Sequence, residues 1–244
     1  MPLSEKPYLQ TVSLDIGNDV DTQAYPFTIP AVRDIGKLKF HQDVTFFVGE
    51  NGAGKSTVLE ALAVALGFSP EGGTRNVQLS TTESTSELHH FIRLVRSFRR
   101  PKDGYFLRAE SFFNVATYMD EVGYLDGYGG KSLHARSHGE SFMALLTHKL
   151  RGNGLYLLDE PEAALSPARQ LAALAAIHQL VQNGSQFIIA THAPILLAYP
   201  SSKILRFDED GISEIGYEDT ESFAVTKDFL SHYPRRLEQL LSEG

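Results

Sequence analysis

The sequence predicts an α/β fold, in which a mostly parallel sheet is flanked by helices and an N-terminal antiparallel β subdomain lies beside it. Apolar runs at 44–48, 155–158 and 187–190 are typical of strands buried on both faces of a parallel sheet. A helix is predicted after the first run from the spacing of its apolar residues. Another is predicted after the second run from helix start and stop signals. Two N-terminal strands, at 8–14 and 25–29, are joined by the turn-rich segment GNDVD and suit an antiparallel pair.

Length and composition narrow the class of protein. The 244 residues suit one domain spanning 1–244, and an apolar content of 42% is sufficient for a substantial core. The net charge of −8 restricts any nucleic-acid binding to a local patch. There is no cysteine, which excludes disulfides, iron–sulfur clusters and thiol catalysis. Without a signal-peptide pattern or an apolar run of about 18 residues, we expect a soluble cytoplasmic protein.

The segment 44–66 contains the pattern G-x-x-x-x-G-K-[ST] between a strand and a helix with apolar residues three and four positions apart. Glycines are needed there because side chains would keep the backbone from wrapping around a phosphate. The freed N–H groups then converge on the anion at the positive end of the helix. We predict phosphate binding by nine consecutive residues: Gly49, Glu50, Asn51, Gly52, Ala53, Gly54, Lys55, Ser56 and Thr57.

Two side chains of this loop have distinct predicted roles. Lys55 would reach the β- and γ-phosphates of a nucleotide, and the Ser56 hydroxyl would be a ligand of Mg²⁺. The alternative is a glycine turn without a ligand, which we disfavour because the whole pattern rarely arises by chance in a chain of this size. The sequence therefore predicts a P-loop NTPase. Tyr25 or Phe27 is a candidate for stacking on the base, although aromatic residues in strands are more often core.

The next segments carry a group of arginines. Residues 69–86 are rich in Gly, Ser and Thr and predict a loop, whereas 87–98 predicts a helix with one apolar stripe. The other face of that helix would carry Arg93, Arg96, Arg99 and Arg100. A basic stripe suits DNA, RNA or an acidic partner, but a solvated helix face is the simpler interpretation and the one we favour.

The middle of the chain predicts a strand at 105–109 and a helix at 111–120, which begins just after Glu110. A glycine- and tyrosine-rich segment at 123–131 predicts a connecting loop. A further helix is predicted at 137–150, with its N-cap at or near Ser137.

The apolar run at 155–158 ends in Asp159 and Glu160, which places two carboxylates at the tip of a buried strand. Asp159 would hold Mg²⁺, and Glu160 would orient and deprotonate the attacking water. A purely structural role is disfavoured, because buried unpaired acids are unfavourable without a cation or ligand.

The strand at 187–190 leads directly to His192. Ligands of open α/β sheets bind at the carboxyl ends of strands, so His192 would lie with the phosphate loop and the two acids. We therefore predict catalytic roles for Glu160, His192 and Lys55. A helix from Pro167 to about 183, a hairpin of strands 203–207 and 212–215, and short helices near 222–230 and 235–241 complete the prediction.

In chain order, the segments GENGAGKST, SHGES, LLDEPEAALSP and ATHAP resemble the motifs of the ATP-binding cassette (ABC-type) ATPases. They are similar to the phosphate loop, the signature, the second carboxylate motif with the D-loop, and the switch histidine, over about residues 8–207. The resemblance implies ATP and Mg²⁺ as cofactors and an ATP-dependent homodimer of head-to-tail subunits. Ser137, Gly139 and Glu140 would contact the γ-phosphate held by the other subunit. A helical signature subdomain at about 69–150 would be inserted in the domain.

The motifs also depart from the family pattern. His138 replaces the first glycine of the signature, Glu140 its glutamine, and Ser166 the usual D-loop aspartate. No glutamine has the context of the family's Q-loop: Gln78 lacks a preceding strand, whereas Glu110 lies between a predicted strand and helix. We assign Glu110 to that position, where its carboxylate would approach Mg²⁺ or the attacking water.

The resemblance is greatest to stand-alone ATPases of the RecF/SMC-like branch, and it implies an ATP hydrolase that acts as a switch. One alternative is the ATPase subunit of a membrane transporter, against which the missing Q-loop glutamine counts. Another is a nucleotide-gated module in DNA maintenance or phage defence with little turnover. The basic residues from Arg93 to Arg100 are the only local feature that supports this alternative.

Overall fold

The computed structural model describes residues 6–17, 20–76, 86–121, 132 and 134–242. The loop predicted at 123–131 lies outside these residues, and so does half of the loop predicted at 69–86, namely 77–85 with Gln78. The central sheet has six strands in the spatial order β5 (Asp103–Arg108), β6 (Gly154–Asp159), β7 (Gln186–Ala190), β3 (Val44–Val48), β8 (Lys203–Asp208) and β9 (Gly211–Ile215). All neighbours pair in parallel except β8 and β9, which form an antiparallel hairpin. The predicted mostly parallel sheet and the closing hairpin are confirmed.

Helices cover both faces of this sheet. Strand residues alternate between two apolar clusters, so that Phe46 packs on the side of Phe142 and Ile177, while Phe47 packs on the side of Leu59 and Val32. The described helices are α1 (Pro30–Arg33), α2 (Lys55–Ala65), α3 (Phe112–Glu121), α4 (His138–Ala144), α5 (Pro167–Gln182), α6 (Pro194–Leu197) and α7 (Glu221–Ser242). The helix predicted at 137–150 is α4, continued by a π-helical turn at Leu145–Lys149.

A second, antiparallel sheet has the order β2 (Leu38–Lys39), β1 (Leu9–Leu14) and β4 (Ile92–Arg96). The antiparallel N-terminal subdomain is therefore present, but the predicted strand at 25–29 is wrong, because that segment forms turns leading into α1. Pro26 and Pro30 lack the N–H donors that a ladder needs, which explains why this segment does not pair with β1.

The predicted helix at 87–98 is also wrong. A short 3₁₀ helix, Glu87–His90, is followed by β4, which pairs with β1 along its length. Residues 92–94 alternate between apolar and charged types, a pattern that is compatible with a strand as well as with a helix. The segment forms a strand because it pairs with the free edge of β1. As a consequence Arg93 and Arg96 lie on opposite faces of a sheet, and the predicted single basic helix face does not exist.

The chain ends in the long helix α7, which is kinked at His232, two residues before Pro234. The kink separates the two short helices that the sequence predicts. None of the described residues of α7 is buried. In the part of the chain that the structure describes, no helix combines the length and the apolar character that crossing a membrane would require.

Candidate nucleotide-binding site

The phosphate loop between β3 and α2 has a backbone that requires glycine at two points. Gly49 has φ +138°, and a Cβ atom there would lie 2.1 Å from the carbonyl oxygen of Phe207. Gly54 has φ +95° at the N-cap of α2, where a Cβ would meet the Ile29 side chain at 2.7 Å. Side chains at these positions would therefore displace the neighbouring strand or helix and open the loop.

Lys55 lies in the first turn of α2 with only 4% of its surface exposed. Its Nζ donates to the carbonyl oxygens of Gly49 at 2.7 Å and Glu50 at 2.8 Å. Burial lowers the pKa of Lys55, and nearby carboxylates, Glu160 foremost, act in the opposite direction. An ammonium group folded across a loop of free N–H groups suits a polyphosphate, whose negative charges would offset the cost of its burial.

Ser56 and Asp159 connect the phosphate loop with the tip of β6. The Ser56 hydroxyl donates to Oδ1 of Asp159 at 3.0 Å, although 103 residues separate them. Burial raises the pKa of Asp159 to about 6, against the opposing effects of the Ser56 hydrogen bond and the Arg108 guanidinium. A hydroxyl and a desolvated carboxylate in contact are the oxygen donors that Mg²⁺ prefers, and Mg²⁺ commonly takes its other ligands from phosphates and water. The pair therefore fits the predicted metal.

Glu160 follows Asp159 in the left-handed region, with φ 48° and ψ 51°. Its backbone N–H donates to the carbonyl oxygen of Ala190 at 2.9 Å, which ties the tip of β6 to the tip of β7. A residue other than glycine is strained in this conformation, so the tertiary structure holds it there. The turn ends the strand at Asp159 and sets Glu160 at the start of the following 3₁₀ helix, Pro161–Ala164.

His192 lies beside this turn, after β7, as the sequence predicts. Its backbone N–H donates to Oε1 of Glu162 at 2.6 Å. Its Nε2 and Oε2 of Glu162 are both buried and have no hydrogen-bond partner among the described residues. Such groups are unfavourable unless a partner satisfies them, and these two atoms could accept one that the described residues do not provide.

Glu162 is a residue that the sequence analysis missed. It belongs to the segment DEPEAALSP, but its position two residues after Glu160 gave no reason to place it against the loop that follows β7. The bend at Glu160 and the 3₁₀ helix that follows bring it to His192. Glu162 therefore positions the loop that carries the histidine.

The predicted signature residues begin α4. Ser137 and Glu140 form a capping box, in which the Ser137 N–H donates to Oε2 of Glu140 at 2.9 Å and the Glu140 N–H donates to the Ser137 hydroxyl at 3.4 Å. The bond from the Ser137 N–H, followed by one from the Ser137 hydroxyl to the same carboxylate oxygen at 2.9 Å, lowers the pKa of Glu140. Arg169 on α5 also donates to the Ser137 hydroxyl at 3.2 Å. Both Ser137 and Glu140 are exposed at the end of the helix.

Gly139 is buried where α4 meets the predicted D-loop. A Cβ atom there would lie 2.7 Å from the carbonyl oxygen of Ala164 and 2.5 Å from Nη1 of Arg169. Glycine thus permits the close approach of the signature helix to the segment 164–169. A cleft of about 370 Å³ beside this contact is lined by both His138 and Glu160.

Glu110, the predicted Q-loop residue, follows β5 and has 84% of its side chain exposed. Arg108, which the sequence analysis missed, contacts Glu110 at 3.5 Å, pairs with the buried Glu60 of α2, and lies opposite Asp159 in the sheet register. Glu110 contributes to the raised pKa of Asp159. Among the described residues there is no cluster of three or more His, Asp or Glu side chains arranged to hold a metal, so a metal role for Glu110 stays a prediction.

The two aromatic candidates for base stacking have different environments. Phe27 is 4% exposed and makes an edge contact with Phe91, at 5.3 Å between ring centroids, so it is a core residue. Tyr25 is 64% exposed, and its hydroxyl lies 3.3 Å from Oγ1 of Thr57 in the phosphate loop. Of the two residues, Tyr25 is therefore the one available to a nucleotide base.

An open cleft of about 570 Å³ runs along the phosphate loop. Its walls include the loop residues 49–53, His192, Arg206 at the end of β8, and the residues 219–222 that lead into α7. The phosphate loop is thus accessible to a ligand that enters this cleft.

Comparison with known proteins agrees with this geometry. A family model described as an AAA domain matches residues 31–118. The hemin import ATP-binding protein HmuV of Deinococcus radiodurans is 29% identical over 198 residues, covering 72% of this chain and 75% of that protein. HmuV of Streptomyces coelicolor is 30% identical over 179 residues, covering 66% of this chain and 64% of that protein.

Among solved structures, an ATP-binding cassette of an ABC transporter aligns with a TM-score of 0.51 at 16% identity, over 92% of this chain and 97% of that chain. At this identity the likeness shows a shared fold. The motifs, the sheet with its phosphate loop, and the ATP-binding relatives together support an ABC-type ATPase, a class of enzyme that hydrolyses ATP.

Proposed function

We propose that this ATPase is an ATP-driven switch in which two copies of the chain associate head to tail and enclose ATP between them. The observation that supports this most is the placement of the signature residues. The side chains of Ser137 and Glu140 bond to each other and to Arg169, and none of these bonds goes to the phosphate loop. An exposed helix N-terminus of this kind can contact a phosphate held by another copy.

Within one copy, the phosphate loop would bind ATP through its backbone N–H groups, with Lys55 on the β- and γ-phosphates. Mg²⁺ would be held by Ser56 and Asp159 and would neutralise phosphate charge when bound. Glu110 is the further metal ligand that we propose for the Q-loop position. Tyr25 would stack on the adenine, given its exposure beside Thr57.

The chemistry proposed for the turn after β6 is proton abstraction. Glu160 would accept the proton of the water that attacks the γ-phosphate, and His192, whose Nε2 lacks a partner among the described residues, would donate to a γ-phosphate oxygen. The bond from the His192 N–H to Glu162 would hold the imidazole in place. We propose that this reaction takes place in the cytoplasm, where ATP is available.

The Glu160→Gln variant tests the proposal directly. It retains the shape of the side chain and removes the base, so we expect ATP binding to persist while turnover falls by a factor of about 10² to 10⁴. An ATP-bound dimer should then accumulate and be visible by size-exclusion chromatography with light scattering. Glu238→Gln, on the exposed face of α7, is the matched control. A Glu160→Gln protein that binds ATP and remains monomeric would contradict the head-to-tail switch.

A second candidate function is that of an ATPase subunit in a membrane transporter. The two relatives are named hemin import ATP-binding proteins, which favours this alternative. The glutamate at the Q-loop position counts against it, as does the closer resemblance of the signature to the RecF/SMC-like branch. Isolation of the tagged chain from membranes together with an integral membrane protein would support the transporter function. A third candidate, the nucleotide-gated DNA module, has its support in the arginines near β4.

A further inference from the structure

Four arginines surround a cleft of about 400 Å³ at the end of α2 that lies away from the phosphate loop. They are Arg75, Arg96, Arg99 and Arg100, and with Phe98 they form what we call the arginine cleft. Arg75 precedes the chain segment leading to β4, whereas the other three lie at the end of β4 and in the connection to β5. Two separate segments of chain therefore bring guanidinium groups to one place, a grouping that differs from the basic helix face predicted by the sequence.

Three of the four arginines of the cleft have no acidic partner within the described part of the chain. Among the described residues no carboxylate pairs with Arg75, Arg96 or Arg100, and Arg96 donates to the Ala65 carbonyl oxygen at the end of α2. Arg93 differs, because it forms an ion pair with Asp15 on the other face of the sheet. Burial, together with the charges of Arg96 and Arg100, lowers the pKa of Arg75. Like charges held this close repel one another, and a polyanion would relieve the repulsion.

The cleft also offers apolar surface. Phe98 is 69% exposed, although it lies between arginines in a chain of net charge −8. The floor of the cleft includes the buried side chains of Tyr8, Leu66 and Leu155. A site that bound an inorganic anion would need no exposed ring beside its arginines, so the aromatic and apolar surface indicates a ligand that has flat apolar groups between its charges.

We propose that the arginine cleft binds single-stranded nucleic acid. The guanidinium groups would contact successive phosphates, and an unpaired base would stack on Phe98 and reach the apolar floor. A duplex keeps its bases inside the stack and cannot use the ring, and an acidic peptide presents carboxylates without a flat ring between them. The proposal goes beyond the ATPase reaction and does not depend on the dimer.

The position of the cleft separates it from the ATP site. The helix α2 runs from the phosphate loop to the cleft over 11 residues, a length of about 16 Å. Side chains of the arginine cleft therefore do not contact the nucleotide. Substitutions there should leave basal ATP turnover unchanged, which provides an internal check of folding.

The test is fluorescence anisotropy of a labelled oligothymidylate with the full chain, without nucleotide, at several salt concentrations. We expect Arg100→Gln and Phe98→Ala each to weaken binding about tenfold. Arg100→Gln should also lower the slope of log affinity against log salt by about 0.7, the value for one lost phosphate contact on a single strand. Arg93→Gln is the matched control, since it removes a nearby arginine on β4 that has an acidic partner, Asp15, and it should change neither quantity.

Three outcomes would overturn the proposal. The first is the absence of oligothymidylate binding in a protein that retains ATP turnover. The second is binding that Phe98→Ala and Arg100→Gln leave unchanged. The third is binding of a duplex or of polyglutamate as tightly as the single strand, which would assign the cleft to another class of ligand.

Discussion

The phosphate loop and the start of the signature helix are the two places where we propose that ATP phosphates bind, and the chain completes them in different ways. The phosphate loop is closed by distant parts of the same chain: Ser56 bonds Asp159, and Gly49 packs on the Phe207 backbone. The start of α4 is closed locally by the capping box of Ser137 and Glu140, and it stays exposed. The difference shows that the phosphate loop is held in place by the fold of its own chain, whereas the start of α4 is locally capped and exposed, as our proposal of a contact with a second copy requires.

The largest change in ATP affinity should come from a substitution in the phosphate loop. Replacing Lys55 by alanine removes a buried ammonium that the loop holds for phosphates, and we expect ATP affinity to fall about a hundredfold, the upper range for a charged hydrogen-bond partner. Isothermal titration calorimetry with ATP and Mg²⁺ measures this directly. The exposed Lys37→Ala is the control and should bind as the unmodified protein does. Equal affinities of all three proteins would show that the loop does not hold the phosphates.

Ser137→Arg tests the outward-facing site. A bulky cation at the start of α4 should reduce ATP turnover at least tenfold by disrupting its proposed contact with the ATP held by the other copy, yet the affinity of a single copy for ATP should not change. Steady-state hydrolysis and calorimetry on the same preparation separate the two effects. Ser231→Arg, on the exposed surface of α7, provides the control. Equal loss of affinity and turnover would mean that Ser137 belongs to the ATP site of its own chain.

Gly139→Ala tests the packing that joins the signature helix to the D-loop segment. The added Cβ would press on the Ala164 carbonyl oxygen, an overpacking cost of about 1–3 kcal/mol that the better helix propensity of alanine offsets in part. We expect a net loss of about 1 kcal/mol in the free energy of unfolding, seen as a lower urea midpoint. The suitable control is Gly36→Ala, because a Cβ atom at that position would have free space. Gly67→Ala is unsuitable, since alanine is strained at its φ of +90°. A stabilised Gly139→Ala protein would exclude this contact.

The smallest effect concerns the base. Tyr25→Ala should weaken ATP binding about fivefold through the lost stacking, with little effect on stability because the ring is exposed. Phe27→Ala should instead lower the free energy of unfolding by about 3–5 kcal/mol, as expected for a buried aromatic residue. Thermal unfolding and ATP titration of both variants distinguish the roles. If Phe27→Ala weakened ATP binding and Tyr25→Ala did not, the adenine would contact Phe27 and not Tyr25.

The sequence allowed a good prediction of residues whose role depends on their own strand or loop. The phosphate loop, the acids after β6 and His192 after β7 were predictable, because parallel strands bring their carboxyl ends to one edge. The N-cap at Ser137 was equally predictable, since a capping box is local.

What the sequence could not show depends on tertiary pairing. The segment 92–96 fits a helix and a strand alike, and its pairing with β1 decided the outcome. The role of Glu162 follows from the left-handed bend at Glu160, which no pattern in the sequence announces. Arg108 likewise becomes informative only when the sheet register sets it opposite Asp159.

The most direct test of the account mixes two inactive variants. In a head-to-tail dimer of one Lys55→Ala chain and one Ser137→Arg chain, one site carries both defects and the other carries neither. We predict that mixing the two proteins restores ATP hydrolysis well above the sum of their separate rates. A mixture no more active than that sum, with mixed dimers shown to form, would contradict the claim that the two halves of each site come from different chains.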